Sequence, residues 1–147
     1  MYIGLSKLPS RDAVEQAFAR HVPGARLWWG SLTDAEFDGD FALTIDPNAS
    51  EFSSMLNVWV LSGQDGYALG LRIARELSVA LDCSTICDGS LHGTDRSPYW
   101  SIVWQRGIPF LADDCDTLFA DGAGDISPEE RQKLGPVRLV SPLTIKF

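Results

Sequence analysis

The sequence predicts an α+β fold: a single domain in which a mostly antiparallel sheet is packed by two main helices, with a short third helix near the C-terminus. Three observations carry that expectation. Residues 55–61 form an apolar, β-prone run closed by Ser62 and Gly63. Residues 65–82 then repeat Leu69, Ile73, Leu77 and Leu81 four apart, with Ala74 and Ala80 widening the stripe, which is the period of one helical face. At 147 residues, 45% of them hydrophobic and 22% charged, the chain has the size and composition of one packed domain (1–147).

The elements follow in order. Residues 2–8 read as a first strand. Pro9 and Ser10 supply a turn and an N-cap, because a serine hydroxyl can accept from the unpaired amides of a first helical turn. Residues 11–22 continue as a helix with Val14, Ala17, Phe18 and Val22 on one face, stopped by Pro23 and Gly24. Residues 26–29 and 41–45 read as strands joined by an acidic loop, and with 55–61 they suggest an antiparallel meander. The central helix takes Asp65 as its cap, and Arg72 and Glu76, four apart, can pair on its outer side. A short strand ends near Cys87, and a polar connector spans 88–98. Strands are expected at 99–104 and 108–111; Pro109 lacks an amide proton, which points to an edge strand or an irregular one. Ser127-Pro128-Glu129-Glu130 opens the short helix, with proline and acids where a first turn favours them. Residues 137–140 and 143–147 close the chain as extended segments.

Charge narrows the classes of partner. The net charge is −8, and no lysine or arginine occurs from Leu27 through Leu71, where Asp34, Glu36, Asp38, Asp40, Asp46, Glu51 and Asp65 all fall. Phosphate backbones and anionic lipid surfaces are held by Lys and Arg, so neither nucleic acid nor a membrane is the expected partner. A basic protein is what such a field attracts. With no apolar run near ~20 residues and no signal-peptide pattern at 1–7, the expected compartment is the cytoplasm. Three cysteines (Cys83, Cys87, Cys115) without a C-x-x-C pair fit it, and with His21 and His92 they lack zinc spacing.

Possible chemistry is sparse. Residues 121–130 look like the back half of a calcium loop: with Gly124 as the turn glycine, Asp121, Ser127 and Glu130 take the third, ninth and twelfth positions. Phe119 and Ala123 then occupy the first and fifth, so two oxygen ligands are missing. Ser90, His92, Asp88 and Asp95 in the connector lack the oriented base and oxyanion hole of a hydrolytic site, and there is no G-x-S-x-G elbow. No catalytic residue, cofactor or metal is expected.

Trp28, Trp29, Trp59, Trp100 and Trp104 all fall in expected strands. Trp28 and Trp29 must point to opposite faces, and Trp59 has the opposite parity to Val58 and Val60. Most tryptophans are expected in the core, with one or two left as anchors of a binding surface. Trp29 and Phe37, beside Asp34, Glu36, Asp38 and Asp40, would make an apolar anchor ringed by carboxylates.

In size, acidity, tryptophan content and architecture the whole chain resembles the immunity proteins of bacterial polymorphic-toxin and contact-dependent systems. That resemblance implies a non-enzymatic module that neutralises a cognate toxin by covering its active site; with no diagnostic motif, it carries over no residues. The competing expectation is a small-ligand-binding protein or enzyme with a pocket near the 88–98 connector, signalled by His92 converging with an aspartate. A scaffolding subunit is a third.

Overall fold

The computed structural model describes residues 1–33, 37–120 and 126–147. Eleven elements follow one another: β1 (Tyr2–Leu5), α1 (Arg11–His21), β2 (Leu27–Trp29), β3 (Phe41–Pro47), β4 (Ser54–Val60), α2 (Gly66–Ala80), β5 (Ser84–Asp88), β6 (Trp100–Gln105), β7 (Ile108–Asp113), α3 (Pro128–Arg131) and β8 (Arg138–Pro142). The eight strands form one sheet in the order β2-β3-β4-β1-β5-β6-β7-β8. The predicted α+β architecture is the observed one, and both long helices start on the predicted caps. Ser10 accepts from Ala13 N at 3.2 Å, and Asp65 Oδ1 accepts from Tyr67 N and Ala68 N at 3.0 and 3.2 Å. Ser127 and Glu130 close a capping box at α3.

Both long helices pack on one face of the sheet. Val14, Ala17 and Phe18 of α1 meet Leu69, Ile73, Ala74 and Leu77 of α2 over Ile3, Leu5, Phe41, Leu43, Leu56, Val58, Ile102 and Trp104. Among the described residues the opposite face has no helix layer of this kind. Over β1, β5, β6 and β7 it is closed by a smaller cluster, in which Phe52 and Phe119 meet edge-on at 5.6 Å above Ile86, Val103 and Ala112. Gly4 makes this closure possible: a Cβ there would fall 2.6 Å from both Ile86 Cγ2 and Phe119 Cε2.

Four local expectations are corrected. β2 and β3 run parallel rather than as the first turn of a meander. Asp40, just before β3, lies at the start of β2, where Arg26 N donates to Asp40 Oδ2 and Asp40 N to Arg26 O; eleven residues between the strands permit the parallel pairing that a tight turn forbids. β7 is an interior strand, not an edge, because its ladder to β8 begins only at Phe110; the irregularity that Pro109 also allowed is present as a register shift between Leu111 and Ala112. The proline itself uses its carbonyl, accepting from Leu143 N at 2.9 Å. Glu76 pairs not with Arg72 but with Arg20 of α1, joining the two helices. Arg72 and Arg75 instead lie over the ring of Phe147, which stacks on Trp104. Residues 143–147 therefore form no strand; Leu143 and Ile145 pack against the main core. No helix among the described residues is long and apolar enough to cross a membrane.

Candidate functional site

The half of the helix-free face made by β2, β3 and β4 is built by strand parity. Phe41 and Leu43 point to the helices, so Ala42 points away; Val58 does likewise and Trp59 points away. The register aligns Trp28, Ala42 and Trp59 in one row across three strands. Two strand spacings put the Cα atoms of the two tryptophans about 10 Å apart, with the fully buried Ala42 in the strand between them. Trp59 is 39% exposed. Phe37 adds a third ring, meeting Trp28 edge-on at 6.2 Å. The next row sets Thr44 opposite Asn57 and Asn57 opposite Tyr2.

Carboxylates edge this aromatic row. Asp38 and Asp40 both bond Arg26, at 2.7 and 3.7 Å, so part of their charge is neutralised at the sheet edge. Among the described residues Asp46 is held by two neutral donors, Thr44 Oγ1 and Asn57 Nδ2, each at 2.8 Å. No cation pairs with it among the described residues.

The predicted site residues are thus distributed as follows. Phe37, Asp38 and Asp40 lie beside the helix-free face. Trp29 is on the other side: its Nε1 donates to Glu15 Oε1 at 2.8 Å and the Arg11 guanidinium sits 5.2 Å above its ring. The ring that joins Phe37 is Trp28, its immediate neighbour. Asp34 and Glu36 lie outside the described residues, as does 121–125 of the calcium-like loop. Of the five tryptophans only Trp104 is fully buried.

A second locus, unannounced by any motif, lies where this face meets the Phe119 cluster. A cavity of about 360 Å³ is lined by Tyr2, Asn57, Tyr99, Asp114 and Phe119 among others. Asp114 is 5% exposed, and Ser101, completely buried, donates to its Oδ2 at 2.5 Å. Burial raises the Asp114 carboxyl above its ordinary range despite that bond, and Asp113 and Asp88 add to the rise. Burial, with Asp114 and Asp88 nearby, also pushes the Tyr2 phenol up to about 12. The sequence placed Tyr2 and Ser101 in strands and left Asp114 beyond the strand expected at 108–111, and only the sheet order brings them together.

The connector spends its polar groups on its own turns. Asp88 accepts from Ser90 N and Asp95 from Ser97 N and Trp100 Nε1. His92 stacks on Tyr67 at 6.3 Å and lines neither the cavity at Asp114 nor a second one, of about 270 Å³, between Met1, Tyr67 and Asp88. All three cysteines are free, and burial raises each thiol, Cys87 to about 12. A nucleophilic thiol needs the opposite shift. Among the described residues no three His, Cys, Asp or Glu side chains cluster as metal ligands. No protein-family model, curated protein or solved structure matches this chain.

Proposed function

We propose that this chain is a non-enzymatic binding module for a basic protein, of the kind that neutralises a toxin by covering it. The observation that carries this reading is the aromatic row Trp28–Ala42–Trp59 on a sheet face that no helix of the described residues covers. Tryptophan at the centre of a surface patch supplies large apolar area at small entropic cost, the make-up of a binding hot spot. Charge selects the occupant. The strands that make the row carry no lysine or arginine, Asp46 stands beside it with neutral donors, and Asp38 and Asp40 share Arg26 at its edge. A protein that presents an apolar side chain within a basic rim complements both features. The resemblance to immunity proteins in size and acidity points the same way.

The test is capture of partners by the tagged protein from its host at low and moderate salt, run in parallel with Trp59→Ala and Asp46→Asn. One basic protein, held stoichiometrically by the wild type, should be lost with Trp59→Ala and released earlier by salt with Asp46→Asn. Capture that ignores both substitutions would remove this face from the account.

A further inference from the structure

The cavity at Asp114 has a chemistry of its own, independent of the docking reading. Its walls are aromatic: Tyr2 from β1, Tyr99 just before β6, and Phe119 from the segment that closes the helix-free face. Among the described residues Asp114 is its one charged wall, and neither lysine nor arginine lines it. Ring faces carry the negative end of the aromatic quadrupole, so rings and carboxylate favour the same sign of ligand. Asp88, which acts electrostatically on Asp114, adds charge of that sign, whereas Asp113 is paired with Arg138 at 2.6 Å.

We propose that this cavity binds an organic cation, an ammonium or guanidinium group on a flat or slender apolar body. At about 360 Å³ it has the size of a small-molecule site. An anion would face the Asp114 carboxylate with no lysine or arginine among the described lining residues to offset it. A metal ion would find Asp114 without the further acidic, His or Cys ligands it needs, since no such cluster occurs among the described residues. A guanidinium or ammonium instead finds a carboxylate for its N–H donors and rings for its faces. Ser101 holds the carboxylate from below, fixing its direction before any ligand arrives. A charge kept in a cavity against its desolvation is also a recurrent mark of a binding site. The cation can be a free small molecule or the tip of a lysine or arginine on a docked protein, because Tyr2 and Asn57 continue the face that bears Trp59.

Benzamidinium and its neutral analogue benzamide distinguish charge from shape. Each is titrated at constant ionic strength, with amide shifts followed by NMR. Saturable binding of benzamidinium is expected, at least tenfold tighter than benzamide, with shifts centred on Tyr2, Tyr99 and Ser101. Asp114→Asn should erase the difference between the two probes, and Tyr99→Ala, at an exposed wall, should weaken both severalfold. Should the asparagine variant fail to fold, Tyr99→Ala and the wild-type comparison still decide. Equal binding of both probes, shifts elsewhere, or no saturation at millimolar concentration would overturn the proposal. Displacement of a captured basic protein by benzamidinium would assign the site to a protein side chain; simultaneous binding would assign it to a free cation.

Discussion

Asp114 illustrates how a single side chain can weaken a fold at the place where it equips it. Its carboxyl is raised above the ordinary value of 3.8 by burial, although Ser101 donates to it. A raised carboxyl binds its proton more tightly in the folded chain than in the unfolded one. The cost of the buried charge is therefore absent below pH 3.8 and grows as pH rises through the folded value. Asp114→Asn keeps an acceptor for Ser101 and removes the charge. We expect the variant to be more stable than wild type at pH 7, with the gain shrinking as pH falls towards 4, read from urea midpoints across that range. A variant less stable at pH 7, or a gain that ignores pH, would mean that the charge is not held against its environment. Asp95 and Glu130 have the opposite sign: hydrogen bonds to their neighbours lower them, so what they contribute is present at neutral pH and lost in acid. Gly4 is the second residue whose identity the fold dictates. Gly4→Ala presses a methyl into Ile86 and Phe119, and overpacking of this kind costs about 1–3 kcal/mol. The loss should appear in the urea midpoint, and Phe119→Leu, by yielding room, should recover part of it.

Among the elements, α2 joins the two halves of the architecture, because it packs on β1, β5 and β6 and meets α1. Leu77 is completely buried at its centre of contact. Leu77→Ala should cost about 2–5 kcal/mol in equilibrium unfolding, the range for a leucine cavity that neighbours cannot refill. Leu77→Asp, which buries an unpaired charge, should abolish the cooperative transition altogether. A cost under 1 kcal/mol for Leu77→Ala would mean the helix layer is not the core of this protein. α2 was legible in the sequence because its information is local: a cap at Asp65 and apolar residues one helical face apart. The direction of β2 was not local. It depends on Arg26 gripping the far end of the 30–40 connection through Asp40, a contact no periodicity announces. The interior position of β7 depends likewise on where the β8 ladder begins, which Pro109 alone could not reveal. The partner of Glu76 was misassigned for the same reason: the helix spacing offered Arg72, and the packing of α1 offered Arg20.

For the molecule as a whole, asymmetry between the two sheet faces decides what remains to bind. Both long helices cover one face, a small aromatic cluster covers half of the other, and the remaining half is left to Trp28, Trp59 and Phe37. Strand parity in the sequence already required that one of Trp28 and Trp29 point away from the core. Which one was settled only by the side on which α1 packs, and α1 takes Trp29 through Glu15 and Arg11. The cavity at Asp114 was less legible still, since it joins β1 to β6 through the sheet order. These two scales of organisation predict different kinetics for the proposed basic partner. The net charge of −8 acts over the Debye length, about 10 Å at 0.1 M salt and 3 Å at 1 M, so it should govern encounter rather than residence. The association rate with the captured partner should fall about tenfold or more between low and high salt, as steered association does, while the dissociation rate changes little. Trp59→Ala should do the reverse, leaving association near its wild-type rate and speeding dissociation, because a truncated hot spot acts on the formed complex. Stopped-flow measurements with both proteins at several salt concentrations separate the two. If Trp59→Ala slowed association and left dissociation unchanged, the tryptophan row would belong to the encounter and not to the interface.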